Sequence, residues 1–166
     1  MPLENFDKQL SWSDFNPRSG EPASGNEWAF IHPEISFSDP QLTRVRNAVS
    51  ISEVTITIAL VTADCWVFDN HTTTQLLRHE QVHYDIVAIN ARELYNTLIG
   101  LSAINTGALQ RSLNQLKARL ARQARTVDAR YDTLTNHGIN TAVQQAWESS
   151  VGAAKSNARG TLNDLP

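Results

Sequence analysis

Residues 79–83 read His79-Glu80-Gln81-Val82-His83, two histidines four positions apart with a glutamate beside the first. On a helix, at about 100° per residue, the two imidazoles fall about 40° apart on one face. Two ligands of one tetrahedral zinc need that arrangement, and the adjoining carboxylate can serve a water activated by the metal. Burying two imidazoles and a carboxylate with no shared task costs about several kcal/mol in desolvation, so coordination is the reading that accounts for all three.

The flanking sequence supports a long helix. Thr72 with Gln75 three residues later predicts a capping box, and the helix is expected to run to about Ile99 and stop at Gly100. It is apolar on several sides (Leu76, Leu77, Val82, Ile86, Val87, Ile89, Leu94, Leu98), as a buried central helix should be. A second helix is predicted from roughly Thr106 to Thr135, with a core-facing stripe at Leu109, Leu113, Leu116, Leu120, Val127, Tyr131 and Leu134. Asn136-His137-Gly138 stops it. A third helix begins near Asn140 and carries Val143, Ala146 and Trp147, and the tail from Lys155 is expected to fray.

Strand and turn signals fill the chain before Asn70. Asn16-Pro17-Arg18-Ser19-Gly20-Glu21-Pro22 and Ser24-Gly25-Asn26 read as loops, and Trp28 to Ile31 and Glu34 to Phe37 as short strands around His32-Pro33. Val54 to Val61 alternates β-branched with polar or small residues, and Cys65 to Phe68 is expected to pair with it as a hairpin. The expected fold is therefore α+β, a small, mainly antiparallel sheet packed on a helical remainder, in a single domain over residues 1–166. Net charge is −3, which argues against nucleic acid as a partner. Arg111, Arg119, Arg122 and Arg125 read as the solvated face of the second helix. No apolar stretch reaches membrane-spanning length, the N-terminal segment lacks the features of a signal peptide, and the single cysteine, Cys65, excludes an intrachain disulfide.

A catalytic zinc keeps three protein ligands and an open position, so the histidine pair needs a third. Asp85 lies roughly 140° around the helix from the pair, and Glu93 is about 15 Å along the axis. His71 is similarly far upstream, and Ile86 and Ile89 occupy the positions at which a longer histidine motif would need glycine and histidine. The third ligand is therefore expected from another element. His137, where an antiparallel second helix would end near His79, is the candidate, with Asp132 next. Tyr131, one helical turn and a half before His137, would then also lie near the metal, where a phenol could stabilise an oxyanion.

With Leu10-Ser11-Trp12-Ser13-Asp14-Phe15, Trp66-Val67, the run Leu76 to Ile86 and Tyr131-Asp132-Thr133-Leu134-Thr135-Asn136-His137-Gly138, the chain resembles a bacterial family of uncharacterised proteins described as secreted zinc-dependent proteases. The W-x-D-F and Y-D-x-x-T-x-H-G pieces are more specific than the pentad. Val82 departs from the glycine common before the second histidine in that family, and the absent leader departs from its mostly exported members. The resemblance implies a zincin-like site helix and a secreted or periplasmic location.

The expected function is a zinc-dependent metallopeptidase acting on a peptide or protein. Zn2+ on His79, His83 and His137 would activate a water, Glu80 would take its proton, and the Val54–Val61 strand would offer an edge to the substrate. A non-catalytic zinc-containing binding module, or a zinc hydrolase of a non-peptide amide, are the alternatives. Glu80 speaks against the first, since a structural site has no use for that carboxylate.

Overall fold

The computed structural model describes residues 2–23 and 25–166; Ser24, expected in a turn with Gly25 and Asn26, lies outside the described residues. The fold is α+β. Eight strands, β1 (Leu3–Glu4), β2 (Asn16–Arg18), β3 (Ala29–Phe30), β4 (Pro33–Phe37), β5 (Gln41–Val45), β6 (Ala48–Glu53), β7 (Ile56–Leu60) and β8 (Trp66–Phe68), precede the helix α1 (Thr74–Leu98). After it come β9 (Ser102–Ala103), α2 (Thr106–Thr135) and α3 (Thr141–Ser156). No helix among the described residues is long and apolar enough to cross a membrane.

Three small sheets replace the single one expected, in the orders β1-β7-β4, β2-β8-β3 and β5-β6-β9. The first two mix parallel and antiparallel pairs. The expected hairpin of β7 with β8 is not formed. β7 pairs along its whole length with β4, from Pro33↔Leu60 to Phe37↔Ile56, and takes β1 on its other side. β8 turns away to pair with β2 and β3. The alternation in β7 did mark a buried face, since Ile56 and Ile58 are wholly buried, but alternation identifies a face and not a partner. Among the described residues β7 is thus the central strand of its sheet, with β1 against Ile56 and Thr57, rather than the edge strand expected for a substrate.

The helix α1 is central because it is apolar nearly all round. One side packs under the strands through Tyr84, Ala88, Ala91, Leu94 and Leu98. The other side packs on α2 and α3 through Val82, Ile86 and Ile89, against Val127, Tyr131, Trp147 and Val151. Its N-cap is Thr73, one residue later than predicted, with Oγ1 accepting from the Leu76 amide at 3.1 Å. Gln75 is thereby free to donate to the Gly138 carbonyl at 2.6 Å. Helix α1 ends before Gly100, whose φ of +86° is the left-handed stop predicted there. On α2 the stripe closes with Thr135, which is buried, while Leu134 is 47% exposed. Steps of four from Val127 and Tyr131 reach Thr135, whose hydroxyl donates to the Tyr131 carbonyl at 2.7 Å.

The C-terminal tail is docked rather than frayed. Arg92, buried on α1, donates to the carbonyls of Ala154, Lys155 and Gly160 at 2.7–2.8 Å, supplying donors to the end of α3. Leu162 and Leu165 then close over the α1–α2–α3 core. A Cβ on Gly160 would lie 2.2 Å from the Ala154 carbonyl oxygen, so the tail seats only glycine there. Gly160→Ala should destabilise the protein by about 1–3 kcal/mol, lowering the thermal midpoint by about 2–4 °C per kcal/mol. A midpoint equal to wild type by circular dichroism would show that the tail is not packed as described.

Candidate metal centre

The helices α1 and α2 pack antiparallel, and each carries polar residues four positions apart on the facing side. His79 and His83 on α1 meet Asp132 and Asp128 on α2, the first with the first and the second with the second. Side chains four apart share a helix face, so one register satisfies both pairs.

Three donor atoms converge. His79 Nε2 and His83 Nε2 are 3.2 Å apart, and Asp132 Oδ1 lies 3.1 Å from the first and 3.0 Å from the second. This nearly equilateral group is the one set among the described residues that meets the spacing for a shared metal ion. An ion near its centre fits bonds of about 2.0–2.2 Å to all three.

The two imidazoles are held differently. His83 Nδ1 bonds Asp128 Oδ1 at 2.6 Å, which turns its Nε2 toward the cluster. His79 Nδ1 is buried without a partner among the described residues. Its ring is instead clamped by Tyr131, stacked at 4.7 Å between centroids and 22° between planes. Tyr131 is fully buried behind the histidines, its hydroxyl 3.5 Å from the His79 carbonyl oxygen. It is not among the residues lining the cavity in front of them.

Without metal, the charges sort themselves by partner. Burial alone would lower His83, but Asp128 and Asp132 outweigh it and raise its pKa. Burial lowers His79 to about 4 against the pull of Asp132. Burial opposes ionisation of Asp132, yet its bonds to both histidines hold it well below the usual carboxylate range. Burial pushes Glu80 up to about 7, with His83 opposing.

Glu80 makes no side-chain hydrogen bond to another described residue and faces a cavity of about 380 Å³. Helix α1 floors this cavity, α2 forms one wall, and the extended segment from Glu27 to Pro33 forms the other. His137 lies at its rim, with Nδ1 3.5 Å from Asp132 Oδ1. Asn136 (φ 49°), His137 (φ 52°) and Gly138 (φ 84°) form a left-handed run that reverses the chain after α2. Gln75 and Asn26 pin the run, through the Gly138 carbonyl and Asn136 Oδ1. A Cβ on Gly138 would come within 3.2–3.3 Å of His79, so this glycine also lets the turn approach the site.

Thus the pentad residues stand together as the spacing predicts, with His137 beside them and Tyr131 behind. Asp128 was missed by sequence reasoning. Its signal was available, because Asp128 and Asp132 repeat on α2 the four-residue step of His79 and His83.

Residues 62–138 match the profile of a family described as a bacterial protein of unknown function, DUF922. The matched stretch contains every residue of the cluster and ends at Gly138. Comparison with curated proteins and with solved structures gives no match.

Two outcomes follow from this geometry. With zinc as the probe ion, Asp128→Ala should weaken binding at this group about 10–100-fold in a chelator competition, and Asp128→Asn, which keeps an acceptor, should weaken it less. Undiminished affinity in the alanine variant would mean that His83 needs no orienting partner. In the metal-free protein, Glu80 binds its proton more tightly when folded (about 7) than at its ordinary 4.5. The stability from this group is thus fully present below the ordinary value and lost as pH rises through about 7. Between about pH 5 and about pH 8 the thermal midpoint of metal-free wild type should fall relative to metal-free Glu80→Gln. Parallel curves for the two proteins would contradict the buried carboxyl.

Proposed function

We propose that this protein is a zinc-dependent hydrolase of amide bonds, most simply a metallopeptidase. His79, His83 and Asp132 would hold the ion, and Glu80 would act as base. What supports the reading is the convergence of two Nε2 atoms and one carboxylate oxygen beside a buried glutamate that makes no side-chain hydrogen bond to another described residue and opens on a cavity. Two nitrogens and one oxygen suit a catalytic zinc with an open position. In this reading Asp132 takes the ligand place expected of His137, because its oxygen is the third atom of the convergent group.

Zinc held there supplies Lewis acidity and lowers the pKa of a water to about 7. The chain's own groups do the rest. Glu80 takes a proton from the attacking water as the carbon–oxygen bond forms, and delivers it to the nitrogen as the carbon–nitrogen bond breaks. One water is consumed, and an acid and an amine are released. Asp128 keeps His83 in one tautomer, and Tyr131 keeps the His79 ring from rotating. His137, on the cavity rim beside Asp132, is placed to donate to the carbonyl oxygen as it gains charge.

Protein purified without added metal should contain about one zinc per chain, and His79→Ala or His83→Ala should abolish it. Glu80→Gln should retain the zinc and lose hydrolysis by about 10²–10⁴-fold, since shape is kept and the base removed. Full hydrolysis by that variant would exclude Glu80 as the base. Stoichiometric zinc in the double alanine variant would exclude the cluster as the site.

A further inference from the structure

The wall of the cavity formed by residues 28–33 is a free strand edge with a defined reach. Backbone hydrogen bonds show which way each residue faces. The Trp28 carbonyl accepts from the Phe68 amide at 2.9 Å, and the His32 carbonyl accepts from Val61 at 2.9 Å. The His32 amide reaches Cys65 Sγ at 3.4 Å, and the Ser38 amide reaches the Thr55 carbonyl at 3.0 Å. In an antiparallel strand, a residue turns its N–H and C=O to the same side, and successive residues alternate. Even-numbered residues from 28 to 38 therefore face inward to β8 and β7, and Ala29, Ile31 and Pro33 face outward.

Among the described residues that outward side has no strand against it, because β3 and β4 each stand at the end of their sheet. Ala29, Ile31 and Pro33 line the same cavity as His79, Glu80 and His83. Pro33 has no N–H, so the edge offers donors at Ala29 and Ile31 and is closed at the third outward position. The opposite wall, on α2, carries Ala124, Arg125, Asp128 and Asp132. Beyond His83 the cavity continues to Ile86, Val87 and Ala124.

We propose that the substrate is an extended peptide, added as a strand to the main chain of Ala29 and Ile31, with an apolar side chain next to the cleaved bond seated among Ile86, Val87 and Ala124. The proposal rests on the hydrolase reading for the position of the cleaved bond, and it names the class of amide and the direction from which it is held. A two-residue edge supplies main-chain recognition that ignores sequence, so selectivity falls to the apolar end of the cavity. Ile86, Val87 and Ala124 themselves offer a charged side chain no hydrogen-bonding group, while Arg125 lines the cavity beside Ala124.

The test uses zinc-loaded Glu80→Gln labelled with nitrogen-15, and capped hexapeptide pools whose one varied position is phenylalanine or leucine, aspartate, or glycine. The apolar pool should shift the Ala29 and Ile31 amide signals and protect them from hydrogen exchange. The amides of Phe30 and His32, which face inward, should gain nothing. Ala29→Pro, lacking one edge donor, should bind this pool about tenfold more weakly with unchanged zinc content. Ala124→Leu should move preference toward the glycine pool. Saturable binding that leaves Ala29 and Ile31 unaffected, equal affinity for all pools, or no binding of any pool overturns the proposal. Cleavage by the wild type with any of these results leaves the hydrolase standing. Binding as described with no cleavage by the wild type keeps the docking mode and removes the peptidase.

Discussion

Ionisable side chains meet where α1 lies against α2, in a place with little water to receive them. His79 and Glu80 are each 2% exposed. Unpaired, such groups cost about several kcal/mol each, so the helices must meet in the one register that sets histidine against carboxylate. A slip of one residue would turn every pair about 100° out of contact. The connection between the helices guards against that slip. Its short strand β9 pairs with β6, the Gly100 amide donates to the Ile51 carbonyl and the Leu101 carbonyl accepts from the Ile51 amide, so the start of α2 is tied to the sheet. The strands thus set helix register as well as forming a cavity wall.

The asymmetry between the two histidines has a physical sense. His83 is oriented by a charge, Asp128, that is itself 44% exposed. His79 is oriented by stacking on a buried phenol. The first device makes one imidazole more basic, and the second leaves the other neutral without adding charge to the core. A divalent ion bound there would replace the proton between His83 Nε2 and Asp132 and would favour ionisation of Glu80, linking metal affinity to folding stability.

The helices were legible because their apolar residues repeat with a period that local geometry imposes, and α2 runs over the predicted Thr106–Thr135. The pentad was legible for the same reason. The sheets were not, since β7 shows its buried face in sequence but its partners, Leu3–Glu4 and Pro33–Phe37, are set by contacts far along the chain. The tail was misread because Lys155-Ser156-Asn157 looks solvated. The group that docks it, Arg92, lies more than 60 residues away, with |i−j| of 62 to its Ala154 bond. Asp128 carries no local sign of its role, which becomes visible only when the two four-residue steps are laid side by side.

The turn at 136–138 has one more implication. Glycine occupies left-handed backbone freely, whereas asparagine and histidine, though the side chains found there most often, do so at about 1 kcal/mol. At His137 the usual cost of a glycine substitution is therefore reduced. A glycine there would relax the folded backbone, partly offsetting the greater freedom it gives the unfolded chain. Replacing the imidazole should thus be nearly silent in a melting curve, and selection for stability alone would have little reason to keep it. The ring is held at the mouth of the site against the preference of its own main chain.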